Sequence, residues 1–353
     1  MTALLSKTIK TIKPLVREAM TQAQAHQDRL TKPPGSLGRL EELSIKLAGM
    51  QGKALPLIQH KAIVTMAADH GVVAEKIGNW PQEVTAQMVL NFLGGGAGIN
   101  VIARQVGARV IVVDLGVAAE LAPDPKLWRR RIAAGTQNIA RGPAMTEEQA
   151  TQAVEVGIEI ITSEVAKGLD IIGTGDMGIG NTTASAAICS VMTGNPVSAV
   201  TGRGTGLSDE QLAHKTSVVE RAVSVNCPRP ERPLEVLAKL GGFEIAGLVG
   251  VMLAGAAHRI PVVIDGFISG AAALIATAIS PTVKDYLIAA HLSAEAGHRL
   301  LLKHLGLRPL LDLEMRLGEG TGAALGIFLA EAAARILAEM ATFTEAGVSE
   351  RNT

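Results

Sequence analysis

Leu169 to Ala187 reads LDIIGTGDMGIGNTTASAA. An apolar, β-branched run (Leu169 to Ile172) passes into glycines at 173, 175, 178 and 180, with Gly168 just upstream, and a helix is predicted to open at Asn181, Thr182 and Thr183. Strand, glycine turn and helix in that order form an anion-binding unit. Glycines let the backbone approach a ligand and present N–H groups, and the helix start adds polar side chains at a positively biased terminus.

Working outward, three more runs share the pattern: AIVTMAAD (Ala62 to Asp69), ARVIVVDLG (Ala108 to Gly116) and IPVVIDG (Ile260 to Gly266). Each ends in an acid or a glycine and is followed by a helix-like segment. The alternation predicts an α/β fold with a parallel sheet and crossover helices, with ligands at the carboxyl ends of the strands. Both chain ends read as helical. Ile9 to Gln24 and Leu37 to Met50 carry apolar residues at helical spacing, as does Thr321 to Ala341, with Leu325, Phe328, Leu329 and Ile336 as expected core positions. The expected division is a small helical domain from 1–58 and 305–353 and a large domain at 59–304. Ile260 to Ser280 is nominally long enough to span a membrane. Its Pro261, β-branched strand and small-residue run instead predict a buried strand and helix, so no membrane span is expected.

The chain is 48% hydrophobic yet only 2% aromatic, so its core has to be built from aliphatic and small side chains. Lys plus Arg equal Asp plus Glu, so no net field draws it to nucleic acid or anionic lipid. Cys189 and Cys227 lack the spacing of a zinc or redox pair and read as core or incidental. The amino terminus lacks the pattern of a secretion signal, which points to the cytoplasm.

The residues Gly173, Gly175 and Gly178 satisfy G-x-G-x-x-G, so an NAD(P)-dependent oxidoreductase has to be weighed. That fingerprint expects an acid about 20 positions on, where this chain has NPVSAVTG. A single phosphate is the better guest, and no nucleoside triphosphate P-loop occurs. A second cluster, VTGRGTGLSDEQLAHK (Val200 to Lys215), offers Arg203 and Lys215 as phosphate-side cations, beside a plain capping box at Ser208 and Gln211. In a third, RLGEGTGAALG (Arg316 to Gly326), Glu319 stands between glycines directly before a helix. Bare flanks would let a ligand pack against that carboxylate, as a general base requires. Asp69, Asp114 and Asp265 sit at strand ends, fit for ribose hydroxyls or, more often, for bracing loops. His70 is a further candidate base. No histidine or carboxylate spacing suggests a metal. Trp80, Val84 and Met88 fall at four-residue intervals, a helix face able to wall an aromatic guest.

Seven segments then read together: KPPGSLGRLE (Lys32 to Glu41), AADHGV (Ala67 to Val72), PQEVTAQMV with NFLGGGAGIN (Pro81 to Asn100), GDMGIGNTTAS (Gly175 to Ser185), DGFISGAAAL (Asp265 to Leu274), SAEAGH (Ser293 to His298) and RLGEGTGAALG. This set, in this order over almost the whole chain, resembles the nicotinate-nucleotide:dimethylbenzimidazole phosphoribosyltransferases. The resemblance implies a Rossmann-like large domain, a small helical domain from both termini, a homodimer, and a part in making the lower ligand of cobalamin. It implies that Glu319 is the catalytic base; that Gly178, Gly180, Asn181 and Thr182 form the phosphate loop; and that Lys215 and Ser293 lie on the substrate side. Trp80, Val84 and Met88 fall in the region lining the base pocket, and Asp265 joins as a strand-end substrate contact. Asp176 stands where some family members carry Glu, which shortens any contribution by a methylene. The substrates would be nicotinate mononucleotide and a benzimidazole base, with no cofactor and no metal, the phosphoribosyl group moving with inversion at C1′. The rivals are the oxidoreductase and a non-catalytic nucleotide-binding protein, in which an isolated Glu319 would have no purpose.

Overall fold

The β-branched runs become parallel strands whose carboxyl ends share one edge. A computed structural model of the chain describes residues 2–204 and 206–349, so residues 1 and 350–353 of the expected small domain, and Thr205 in the second glycine cluster, lie outside it. Strands β1 (Lys61–Ala68), β2 (Arg109–Gly116), β3 (Leu127–Arg129), β4 (Ile171–Met177), β5 (Val262–Ile264) and β6 (Leu287–Ala289) form one sheet in the order β3-β2-β1-β4-β5-β6. Every pairing is parallel. The order reverses between β1 and β4, and there the following loops part to leave a crevice for a ligand. β3 (LWR) and β6 (LIA) escaped the sequence reading because they lack the β-branched run ending in Asp-Gly that marked the equally short β5.

Helices Glu147–Val165 and Phe243–Ala257 pack together through glycines. A Cβ on Gly157 would meet the Gly247 carbonyl oxygen at 2.0 Å, and one on Gly250 would meet the Val154 carbonyl oxygen at 1.9 Å. Backbones this close leave no room for rings, which is how a core with so few aromatics reaches full density. Helix Thr321–Glu339 seats on the sheet in the same way. A Cβ on Gly326 would lie 2.7 Å from Val263 Cγ1.

That seating corrects the expected core positions. Ala323, Ala324, Ile327, Ala330, Ala333, Ala334 and Leu337 are buried, whereas Leu325, Leu329 and Ile336 are only half-buried and Phe328 is 55% exposed. The small-residue face goes inward because the backbone must approach the sheet. The larger residues turn out.

Pro14 corrects a second expectation, because it splits Ile9 to Gln24 into helices Ala3–Thr11 and Arg17–Gln27. The stretch from Ile260 to Ser280 resolves into β5 and the buried helix Phe267–Ile279. By length and composition two other helical stretches among the described residues could cross a membrane, Glu83–Val106 and Thr321–Glu339. The first is interrupted after Gly94, where Gly95 turns left-handed, and the second is the sheet-seated helix just described.

Helices Arg17–Gln27 and Arg39–Gln51 meet the far half of Thr321–Glu339 around Ala23, Ala48 and Leu337. Leu30 bridges to Thr342. We propose this three-helix group as the small lobe, with helix Ala3–Thr11 outside it, since that helix lies on Glu147–Val165 and Phe243–Ala257.

Candidate active site

A cleft opens at the β1/β4 switch point, enclosing about 1050 Å³ with its solvent mouth included. The turn after β4 forms its floor. Gly180 takes φ +99° and opens helix Asn181–Thr193 without a side-chain cap. The Asn181 N–H donates to the Gly178 carbonyl at 3.1 Å and the Thr183 N–H to the Gly180 carbonyl at 3.0 Å, and the residues from Gly178 to Thr182 line the cleft. Gly178 lies against β1, where a Cβ would sit 2.3 Å from the Ala68 carbonyl oxygen. His70 supports the turn from beneath, its Nε2 2.8 Å from Glu244 Oε1, both side chains buried. Burial pulls the His70 imidazole down, and the Glu244 carboxylate together with Asp69 more than offsets it, so the net shift is upward. On the helix side, Ile179 N–H donates to Thr85 Oγ1 at 3.1 Å.

Lys215 enters from helix Asp209–Asn226. Its buried Nζ donates to Thr182 Oγ1 at 2.9 Å and to the Gly202 carbonyl at 3.2 Å. Burial pulls its pKa down to about 8, and Glu295 partly restores it. Ser293 and Glu295 share the cleft wall with it. The Ser293 backbone N–H donates to His298 Nδ1 at 2.8 Å, and Ser293 Oγ accepts from the Glu295 N–H at 3.3 Å. Arg203 and Arg316 line the mouth, the first paired with Asp209, the second donating to the Gly204 carbonyl.

Glu319 sits just behind this wall, its neighbour Gly318 in it. Gly318, Glu319 and Gly320 are consecutive left-handed residues, with φ of 82°, 63° and 99°. For a glutamate this conformation is strained, and such residues persist where the surroundings hold them. Here they do. The Thr65 hydroxyl donates to the Glu319 carbonyl at 2.9 Å, and the Glu319 N–H donates to the Asp176 carbonyl at 3.2 Å. Oε2 accepts the Ile99 N–H at 2.9 Å, in the first turn of helix Gly98–Val106. Burial raises the Glu319 carboxyl, and the Ile99 hydrogen bond opposes the rise.

Two more acids stand close. Asp176 Oδ2 accepts from Asn181 Nδ2 at 2.9 Å. Burial first, and then the charges of Asp265 and Glu244, raise its pKa well above the carboxylate range. Asp265 is buried too, pushed up to about 7 by desolvation against three backbone hydrogen bonds that pull the other way. Its oxygens accept the Gly320 N–H (3.2 Å) and the Ala323 N–H (3.0 Å).

The structure therefore brings Asp176, Gly178, Gly180, Asn181, Thr182, Lys215 and Ser293 into one cleft, with Glu319 at its back. Asp265 faces the start of the last long helix and is absent from the cleft wall. Trp80 lines the mouth, 53% exposed, but the expected helix face is corrected: the helix begins at Glu83, because Pro81 disfavours helical backbone at residue 80. Val84 and Met88 are on that helix, half-buried and outside the cleft wall. Ile99, Thr65 and Glu244 were missed by sequence reasoning. The run GGGAGIN is a local signal that could have marked a turn before Ile99, but a backbone donor has no signature of its own.

The oxidoreductase fingerprint also finds its explanation. Gly173 and Gly175 lie inside β4, and a Cβ on Gly175 would meet the Glu319 carbonyl oxygen at 2.2 Å. Gly175 makes room for the Glu319 turn, and Gly173 for the helix that follows it, a Cβ there lying 3.1 Å from Ala323 Cβ.

A doubly wound parallel sheet with an anion-binding turn, a buried lysine and a strained glutamate at its switch point defines an α/β enzyme acting on a phosphorylated ligand. A family model described as phosphoribosyltransferase matches residues 12–348, and the chain belongs to this family. A nicotinate-nucleotide–dimethylbenzimidazole phosphoribosyltransferase from Dehalococcoides mccartyi is 60% identical over 348 residues, covering 99% of each chain. One from Desulforudis audaxviator is 59% identical over 346 residues, covering 98% of each. Among solved structures, CobT from Thermus thermophilus aligns with a TM-score of 0.91 at 50% identity, covering 95% of this chain and all of that one.

Proposed function

We propose that the chain moves the phosphoribosyl group of nicotinate mononucleotide onto 5,6-dimethylbenzimidazole, yielding α-ribazole 5′-phosphate and nicotinate. The observation that carries this reading is Glu319, a buried carboxylate fixed in a strained turn beside an anion-binding turn. The full-length likeness to enzymes bearing that name supports the choice of substrates.

The nucleotide phosphate accepts from the Gly180 and Thr182 N–H groups and from Lys215, while Ser293 and Glu295 wall the ribose. The base lies toward Met88 and Val84, which reach it only from behind the present cleft wall. Glu319 Oε1 takes the azole N–H proton as the opposite ring nitrogen attacks C1′. The C1′–N bond to the pyridinium then breaks, its electron pair neutralising the ring nitrogen, and nicotinate leaves without an acid. Attack from the far side inverts β to α. Burial and acidic neighbours push the Asp176 carboxyl upward and so favour its neutral form, which limits the negative charge beside the base. Placing both substrates in line contributes most of the acceleration, and the base adds about 10²- to 10⁴-fold.

We propose a cytoplasmic homodimer as the working form. Val101 and Leu317, close in sequence to Ile99 and Glu319, are 54% and 61% exposed, and Phe328 on the following helix is 55% exposed, apolar surface suited to a second copy. Both cysteines are free, which suits a reducing compartment.

Incubating the purified chain with the two substrates and following products by chromatography, mass and anomeric NMR tests the reading. Nicotinate with α-ribazole 5′-phosphate is expected. Bound nucleotide without product would redirect the search to another acceptor base, and a β product would remove the inversion.

A further inference from the structure

Helix Thr321–Glu339 begins at Gly320, a residue without a side chain to cap it. Its first-turn donors are taken instead by a carboxylate from another strand end: Asp265 Oδ2 from Gly320 and Oδ1 from Ala323. The site is shaped for that carboxylate, since a Cβ on Gly322 would sit 2.7 Å from Asp265 Oδ1 and 2.1 Å from His291 Cδ2. Asp265 is itself anchored, its N–H donating to Thr174 Oγ1 of β4 at 3.3 Å. Gly320 follows Glu319 directly, so Asp265 grips the strained segment one residue from the base.

We propose that Asp265 is a positioning residue: it holds the left-handed Gly318 to Gly320 turn so that the Glu319 carboxylate is aimed at the azole proton, and it does not touch substrate. This reassigns it from the substrate contact that its strand-end position suggested, and it rests on Glu319 being the base. The groups facing Asp265 are the N–H groups of Gly320 and Ala323, His291 Nε2 at 3.7 Å, and the Glu319 and Asp176 carboxyls. Asp265 is absent from the cleft wall, and each of its oxygens already accepts a backbone donor of the turn, so its carboxyl group is directed at the turn. A misplacement of about 1 Å at a reacting group costs on the order of 10²-fold in rate, so a loosened turn should be visible in turnover.

The test is a double-mutant cycle with Asp265→Asn, which keeps one acceptor, Asp265→Ala, which keeps none, and Glu319→Gln, read by kcat, nucleotide Kd and thermal melting. In the wild-type background Asp265→Asn should lower kcat by roughly 10- to 100-fold and Asp265→Ala by more, with nucleotide Kd within about threefold. In the Glu319→Gln background the same changes should add less than about threefold, because the aim of an absent base no longer matters. Equal losses in both backgrounds, an unchanged kcat, or a Kd raised more than about tenfold would each overturn the proposal. Should both Asp265 variants melt below the assay temperature, Asp265→Glu, which retains the carboxylate but displaces it, faces the same criteria. Retained turnover in Glu319→Gln alone is a different failure, that of the base assignment, and is read from the single variant.

Discussion

The chain contains two turns written in nearly the same local grammar, GIGNTT at Gly178 to Thr183 and GEGTGA at Gly318 to Ala323, and they do opposite things. Each opens a helix immediately after a glycine at φ +99°, and neither glycine supplies a side-chain cap. At Gly180 no side chain caps the helix start, which lines a cleft with Lys215 beside it. At Gly320 the donors are already taken by Asp265, a carboxylate of the protein itself. One helix start is left open for a ligand's anion. The other is closed by an internal anion, so that the residue preceding it can be held rigid.

The largest effect should come from breaking the closed turn at its chemistry. Glu319→Gln should lower kcat by about 10²- to 10⁴-fold while nucleotide affinity, measured by titration calorimetry, stays near wild type. A matching loss of affinity would mean the two turns are not divided into base and phosphate roles. Breaking the open turn should do the reverse. Lys215→Met should weaken nucleotide binding roughly 10- to 100-fold, the value of a hydrogen bond to a charged group, with a smaller effect on kcat at saturation.

The same lysine sets a pH limit. It is cationic below its folded pKa of about 8 and neutral above it, so kcat/KM should fall as pH rises through 8. On the acid side, kcat/KM should fall when Glu319 takes up a proton, at a pH above that of an ordinary glutamate because burial raises its carboxyl. A Lys215→Met enzyme that keeps the alkaline limb would show that another group titrates there.

The smallest effects sharpen the comparison in stability. Gly320→Ala places a Cβ 2.6 Å from Ile63 Cγ2 in the packed β1, whereas Gly180→Ala meets Val73 Cγ2 at 3.1 Å in a half-buried 3-10 turn. Both carry the left-handed penalty, and only the first also overpacks the core. Thermal melts should give about 2 to 4 kcal/mol for Gly320→Ala against about 1 to 2 for Gly180→Ala.

Much of this was legible in the residues. The four strand-forming runs, the anion turn and the isolated Glu319 are local signals, carried by β-branched runs and by glycines whose neighbours are close in sequence. The edge strands β3 and β6 were illegible because LWR and LIA lack the β-branched run and Asp-Gly end that marked the equally short β5. The inward face of Thr321–Glu339 was misjudged since size, read along the chain, favours Leu and Phe for a core, while the sheet's closeness favours Ala and Gly. Trp80 was misplaced by spacing that Pro81 overrules.

By itself the sequence determined that this is a parallel α/β chain with a phosphate-type turn and one exceptional glutamate, because backbone freedom, strand preference and helix initiation are properties of neighbouring residues. Only the tertiary structure decided which glycine turn stays open and which is filled. Asp265 reaches Gly320 across 55 residues, Thr65 reaches the Glu319 carbonyl across 254, and the Ile99 N–H reaches its carboxylate across 220. Such contacts form where strand ends converge at the switch point, and they leave no trace in the local pattern of either partner.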